Sequence, residues 1–477
     1  MRLSWASLSA ASPGQWVELE GWLAPLAEAP SPGYGLLVPQ PDCCLGCPPN
    51  PAHTVEILAE AALPAASGGA IRVAGCWTPL PADDAAGWRW QLAAARPLGR
   101  VSAPGPWLSR RAALAGLPLA CVAASAGCAD TPPPAAAETL GQARSLVAAA
   151  TPMDLHSHAG RVIISRGGVR PFTPVAEPMR DGGMRLIALA MVADTPVTQV
   201  VNGTRIQAVR DPEPGELARH AEAAFARLAE VVQTQGLAVV TDQASLRAAM
   251  APHGTTGGAN GAAPAVLVAA EGADFLEGRP ERLAQAFARH RLRHLQLVHY
   301  RANELGDIQT DRAEHNGLSA AGAAVVRECN ALGVVVDLAH ATLATVRGAA
   351  EASRHPIVLS HTSLNNNPPG RTRTITTEHA RAIAATGGVI GIWPPSTIFP
   401  TLRRYAEGMA RMAEAVGVAH VGIGSDMLGL LGTAAFSNYR QTPELAAELL
   451  GIGFNQAEVG QLLGGNFARV LAQVLPA

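Results

Sequence analysis

Eight short apolar runs recur between residues 153 and 424, most of them separated by a helix-like stretch, and they set the frame for that part of the chain. The runs fall at 153–156, 186–192, 265–270, 294–298, 334–338, 357–360, 389–392 and 421–424. Runs this short and this continuously apolar read as parallel strands buried on both faces. Helical patterns lie between most of them, at 215–233, 282–289, 320–332, 377–385 and 403–416. Such an alternation, repeated eight times, favours a closed (β/α)8 TIM barrel over an open sheet. The expected barrel domain is 151–477.

Residues 1–100 follow another rule. Runs at 16–22, 35–38, 54–58 and 71–77 are broken by Pro- and Gly-rich turns, which suggests a small β-rich domain, an OB-like barrel. Six of the seven cysteines (Cys43, Cys44, Cys47, Cys76, Cys121 and Cys128) precede residue 130, leaving Cys329 alone in the barrel. That distribution is no disulfide framework for the large domain. Cys43, Cys44 and Cys47 with Cys76 are either a tetrahedral thiolate site or a cysteine-rich turn without metal.

Residues 101–150 join the two domains. Arg110-Arg111, an apolar run at 112–127, Cys128 and a Pro/Ala tether at 131–137 are the parts of a twin-arginine export signal with a lipoprotein cleavage box. On that reading Cys128 is acylated and attaches the barrel to a membrane, in the periplasm or on its boundary. On the other reading the segment is an apolar linker helix and the protein is cytoplasmic. An internal signal implies a long leader or two joined reading frames. No run approaches the roughly 20 apolar residues of an ordinary membrane span. All 36 basic residues are arginine and the net charge is −2, so no nucleic-acid partner is expected and an isolated arginine is a weak pointer to function.

The residues that follow the barrel runs carry the chemistry. Asp154-Leu155-His156-Ser157-His158 ends the first run, Glu271 the third, His299 the fourth, His340 the fifth, His361 the sixth and Asp426 the eighth. Strand C-termini of a barrel converge on one face, where active sites are built. Two histidines at i and i+2 share one side of a strand, so one cation can take both. Neutral imidazoles beside carboxylates suit Zn²⁺ or a similar divalent ion, and Glu271 could bridge two of them. A metal-bound water then becomes a nucleophile near neutral pH. Singly, a histidine at a strand end is an ordinary hydrogen-bonding residue, and a carboxylate there is often a helix cap. It is the recurrence after six of eight runs, always at the same end, that points to a metal centre. His253, His290, His294, His315, His355 and His379 lack that placement and read as structural or surface residues.

Several segments resemble the membrane (renal) dipeptidase family, in the family's order, over roughly residues 150–474. They are Gly317-Leu318-Ser319-x-x-Gly322, Val336-Asp337-Leu338-Ala339-His340, Pro356 through Thr362, Gly387-Gly388-Val389-Ile390-Gly391, Val421 through Asp426, and Gly465-Asn466-Phe467-x-Arg469-Val470. The resemblance implies a zinc-dependent dipeptidase with two Zn²⁺ per chain and a small peptide substrate; a homodimer is one assembly open to such a chain. By it, His156 and His158 hold one ion, His340 and His361 the other, and Glu271 bridges them. Asp426 positions water and moves protons, and His299 contacts the tetrahedral intermediate. Arg373 binds the substrate carboxylate, with Arg371 as the second choice. The departure is at His158, where the family carries aspartate. An imidazole there leaves the site one charge more positive, which bears on metal preference and substrate range.

Three other readings compete. An amidohydrolase acting on N-acyl amino acids uses the same centre. A non-catalytic barrel that binds metal or peptide keeps it without turnover. The opening Asp-Leu-His-Ser-His also resembles polymerase-and-histidinol-phosphatase phosphoesterases, but that family needs a Thr-Asp-His strand end where this chain has Thr241-Asp242-Gln243.

Overall fold

In the computed structural model, the strand Trp16–Leu23 (β1) alternates buried and more exposed residues, as expected for a sheet with one face on a core. With Tyr34–Val38 (β2), Val55–Ala59 (β3), Ile71–Pro79 (β4) and Trp90–Arg100 (β5) it closes a five-stranded barrel in the order β1-β2-β3-β5-β4. Only β3 and β5 run parallel; the other neighbours are antiparallel. Val17, Leu19, Leu37, Ile57, Val73 and Leu92 fill its core, and Trp77 stacks on Trp90 at 5.1 Å between ring centroids. The structure describes residues 3, 5, 8, 11–24, 34–38, 54–59, 63–64, 70–80, 90–100, 134–164, 170–201, 205–251, 263–367 and 372–477. Cys43, Cys44 and Cys47, the export-like segment 109–128 with Cys128, and Arg371 lie outside the described residues. Cys76 is a half-buried free thiol.

The chain divides into residues 1–138 and 139–477. The helix Pro134–Ala149 occupies ground that reads as a Pro/Ala tether in the sequence. Proline is well suited to a first helical position, and the Ala, Leu, Gln and Arg that follow are good helix formers. Ala143 and Val147 anchor the helix in the second unit's core.

All eight expected barrel strands are present, as Met153–Ser157 (β6), Leu186–Val192 (β7), Ala265–Glu271 (β11), His294–Gln296 (β12), Val335–Asp337 (β13), Leu359–Thr362 (β14), Ile390–Ile392 (β15) and Val421–Ile423 (β16). A hairpin of Thr198–Val201 (β8) and Arg205–Ala208 (β9) follows β7, and Ala238–Val240 (β10) pairs with β11 outside the ring. The eight strands run in chain order around a nearly closed parallel barrel. Val358 N–H donates to Val336 O at 2.9 Å and Leu338 N–H to Val358 O at 2.8 Å, across the remaining seam between β13 and β14. Every residue of these strands is buried, which explains why most of them read as apolar runs. The helix Glu216–Thr234 shows the complementary pattern. Leu217, Ala221, Ala224, Leu228 and Val231 form its buried stripe at helical spacing.

Two strands carry a one-residue slip that matters for the site. Three steps of β6, from Asp154 to Ser157, match two of β7, and three of β14, from Leu359 to Thr362, match two of β15. Such bulges re-aim side chains at a strand end. Here they precede or contain His156, His158 and His361.

The histidines read as structural behave so where they are described. His290 stacks on Phe225 at 4.4 Å, His315 Nε2 donates to Asn303 O at 2.8 Å, and His379 is buried in the first turn of the helix Thr377–Ala384. Burial, with Arg373's charge adding, pushes His379 down from 6.5 to about 4. The unfolded chain therefore takes up this proton at higher pH than the folded one, and stability is lost as pH falls from 6.5 towards 4. In chelator-treated protein, His379→Leu is expected to shrink the loss of unfolding free energy between about pH 7 and 4.5 by roughly 2–3 kcal/mol. Denaturant melts at the two pH values check this; an undiminished loss would mean that His379 takes up its proton as readily in the folded protein as in the unfolded chain.

Candidate metal centre

Seven expected side chains meet at the C-terminal ends of the barrel strands. Glu271, the last residue of β11, is buried at their centre. Its Oε1 lies 3.5 Å from His156 Nε2, 3.3 Å from His340 Nε2 and 3.4 Å from His361 Nε2. Its Oε2 lies 3.2 Å from His158 Nε2 and 3.4 Å from His299 Nε2. Asp426 Oδ1 approaches His158 Nε2 to 3.4 Å. The i, i+2 pair does converge, with His156 and His158 Nε2 atoms 3.0 Å apart. His340 and His361 converge likewise, at 3.1 Å.

The far sides of the rings explain their orientation. His158 Nδ1 donates to Ala190 O at 2.8 Å, and His299 Nδ1 donates to Asp194 Oδ1 at 2.7 Å. His361 Nδ1 lies 3.0 Å from Ser360 Oγ, whereas His340 Nδ1 is buried with no hydrogen-bond partner among the described residues. A proton fixed on Nδ1 leaves Nε2 to face inward with its lone pair. His340 and Asp426 both hold left-handed backbone, with φ of 70° and 48°. For residues other than glycine such a conformation costs on the order of 1 kcal/mol or more, and it collects at functional sites.

Electrostatics fit a cation-binding donor set. Burial, with Arg373's charge adding for both, drives His340 and His361 well below the usual histidine range, so both are neutral. Burial alone would raise Glu271, but the charges on His299 and His156 hold its carboxyl well below the usual range. Burial would likewise lower His158, yet Asp426 and Glu271 beside it push the ring up to about 10. The proton bound there lies between an imidazole and two carboxylates, where a divalent cation would find three donors. Neutral imidazole nitrogens converging on one ionised carboxylate suit a divalent ion. Three overlapping groups bring their ligand atoms within 4.8 Å of one another and could each hold an ion: His156, Glu271 and His361; His156, His158 and Asp426; and Glu271, His299 and His340.

Arg373 sits beside the centre. It donates to Gln309 Oε1 at 3.1 Å and His361 O at 3.3 Å, and its guanidinium stands 5.8 Å from the Trp393 ring centroid. Tyr300 packs edge-on against His299 and His340 at 4.5 and 4.7 Å. Trp393 Nε1 donates to Asp426 Oδ2 at 3.1 Å. Sequence reasoning missed Asp194 and Trp393, which follow the second and seventh strands and extend the strand-end pattern to all eight. Asp194 had a readable signal, two residues past an apolar run; Trp393 had none. Asp242, of the Thr-Asp-Gln segment, instead caps the helix Gln243–Met250. Among the described residues, no helix is long and apolar enough to cross a membrane.

Comparison with known proteins adds to this geometry. A family model described as Membrane dipeptidase (Peptidase family M19) matches residues 222–476. Dipeptidase verJ of Clonostachys rogersoniana is 30% identical over 224 residues, 44% of this chain and 55% of that protein. The chain spans about half the length of the curated relatives it matches. Among solved structures, the probable dipeptidase PvdM from Pseudomonas aeruginosa superposes with a TM-score of 0.58 at 18% identity, covering 71% of this chain and 99% of that one. A metallopeptidase from Rhodobacter sphaeroides, liganded with a phosphinate mimic of the dipeptide L-Ala-D-Ala, gives a TM-score of 0.55 at 20% identity, covering 68% and 99%. At those identities the likeness is one of fold. The matched region contains Glu271, His299, His340, His361 and Asp426, and begins after His156 and His158.

Proposed function

The chain belongs to the membrane dipeptidase family, and from that premise we propose that it is a dipeptidase working at a centre of two zinc ions. The observation that carries the reading is the ring of five imidazoles within 3.5 Å of one buried carboxylate. In this reading His156 and His158 would hold one ion and His340 and His361 the other, with Glu271 the donor common to both. Zinc bound there supplies the Lewis acidity that polarises a carbonyl and acidifies water.

The chain's own residues do the rest. Asp426 accepts the proton of the attacking water and delivers it to the leaving amine, with Trp393 holding its Oδ2. His299, its Nδ1 proton committed to Asp194, presents Nε2 to the carbonyl oxygen as that oxygen gains charge. Arg373 pairs with the terminal carboxylate of the dipeptide. The dipeptide mimic bound by the Rhodobacter metallopeptidase supports including L,D-dipeptides among the substrates. His158 in place of aspartate favours one further candidate, an N-acyl amino acid, because a more positive centre tolerates a substrate without an amino terminus. In the first unit, the strand order β1-β2-β3-β5-β4 supports an OB-like barrel.

A panel of L,L-dipeptides, L,D-dipeptides, N-acyl amino acids and phosphate esters tests the assignment. Hydrolysis of dipeptides is expected; turnover of phosphate esters alone would overturn it. Arg373→Met is expected to raise KM for a dipeptide about 10- to 100-fold, as loss of a charged pair worth roughly 1.5–3 kcal/mol requires. The same variant should leave KM for the corresponding dipeptide amide, which lacks the carboxylate, nearly unchanged. Equal losses on both would move the carboxylate contact elsewhere.

A further inference from the structure

Two seams of the barrel carry few backbone hydrogen bonds. β7 and β11 pair along seven residues, but β16 and β6 share the single register pair Ile423–Asp154 and an isolated bridge between Ser157 and Met427, with Asp426 N–H donating to His156 O at 3.0 Å and His158 N–H to Met427 O at 2.9 Å beyond the strand ends. β13 meets the chain entering β14 through the bridge Asp337–Val358. Both thin seams divide strands that bear site residues: His156 and His158 from Asp426 at one, His340 from His361 at the other.

Each seam holds one fully buried carboxylate. Asp337 Oδ1 accepts the Ala339 N–H at 3.0 Å on its own strand and the Ser360 N–H at 2.9 Å across the seam. Its Oδ2 accepts from His294 Nε2 at 3.0 Å. Asp154 Oδ1 accepts the His156 N–H at 3.3 Å on its own strand and the Ser425 N–H at 2.9 Å across the seam. Its Oδ2 accepts the hydroxyls of Ser425 and, at 2.8 Å, Tyr439. The amides so held are those of Ala339, Ser360 and Ser425, which immediately precede His340, His361 and Asp426, and that of His156 itself.

We propose that Asp337 and Asp154 are positioning residues, each stapling one thin seam and thereby fixing one half of the metal centre. The carboxylate does what ladder hydrogen bonds do elsewhere in the ring, and a buried amide left without it would open the seam. Asp337 governs the half built from His340 and His361. Asp154 governs the half built from His156, His158 and Asp426. This rests on the metal-centre reading above, and the test separates the two claims.

The full chain would be prepared as Asp337→Ala, Asp337→Asn, Asp154→Ala and Asp154→Asn. In chelator-treated protein, amide hydrogen exchange is expected to rise at least about 10-fold at Ala339 and Ser360 in Asp337→Ala, with Ser425 and His156 unchanged. Asp154→Ala should give the reverse. Titration with Co²⁺, followed by its visible absorption, should show one of two sites weakened about 10- to 100-fold in each Ala variant, with different spectra lost. The Asn variants retain an oxygen that accepts both N–H groups, so both readouts should return to near wild type. Equal exchange increases at both seams, Asn variants behaving like Ala, or an unaltered Co²⁺ titration would each overturn the proposal. If the Ala variants do not fold, the wild type decides: Ser360 and Ser425 amides exchanging as fast as exposed loop amides would refute the staples. A wild type that takes up no Co²⁺ would sink the metal-centre reading, while the exchange pattern would still decide whether the seams are stapled.

Discussion

Glu271→Gln is expected to lower kcat/KM for dipeptides by ~10³-fold or more, about 4 kcal/mol of transition-state stabilisation. Glu271 stands 3.2–3.5 Å from all five imidazoles of the centre. Its negative charge is held there by the charges of His299 and His156 against the cost of burial. An amide of the same shape keeps the packing and removes the charge, so both halves of the centre lose the donor they share. Far-UV circular dichroism should be unchanged, because the barrel strands are closed by backbone pairing and apolar packing that this substitution does not touch. Wild-type turnover in the variant would remove Glu271 from the bridging role.

Asp426→Asn is expected to act on the chemical step, lowering kcat by about 10²- to 10⁴-fold with a KM within a few-fold of wild type. Its Oδ2 is fixed by Trp393 and its Oδ1 faces His158, and asparagine can keep the first contact while losing the ability to take a proton. The left-handed backbone at Asp426 is compatible with asparagine, which visits that region more readily than most residues. Steady-state kinetics on one dipeptide separate the roles. A raised KM with unaltered kcat would make Asp426 a binding residue rather than a proton carrier.

Much of the barrel and of its centre was legible in the sequence, for a physical reason. Strands buried on both faces are mostly apolar, so a polar residue at or just after the end of such a run is conspicuous. That exposed His156, Glu271, His299, His340, His361 and Asp426. Asp194 was missed because a carboxylate two residues past a strand also reads as a turn or cap. Trp393 was missed because an aromatic residue there reads as core. The residue slips in β6 and β14 left no local signature, since a slip is defined only by pairing with the neighbouring strand. Asp154 and Asp337 were visible as motif positions, but their role lies in contacts across the seams, and no spacing within one strand encodes those. The helix Pro134–Ala149 shows the converse: the prolines at 132–134 suggested a tether, while the alanine-rich run after Pro134 has the propensity to fold as a helix.

The departure at His158 sits where the family match has not yet begun. Its geometry is that of the other inward rings, with Nδ1 committed to a carbonyl and Nε2 towards Glu271. His158 thus joins the other inward rings around Glu271 at the position where the family resemblance implies a carboxylate. The expected consequence is a centre that still binds two ions, with one donor exchanged.

The most direct test of the account is the number of metal ions held per chain. Purified wild-type protein, stripped with a chelator, reconstituted with excess Zn²⁺ and desalted, would be analysed by inductively coupled plasma mass spectrometry. The centre described above predicts two zinc ions per chain in the wild type and at most one in Glu271→Gln. One ion or fewer in the wild type, or two retained in the variant, would contradict a binuclear centre built around Glu271.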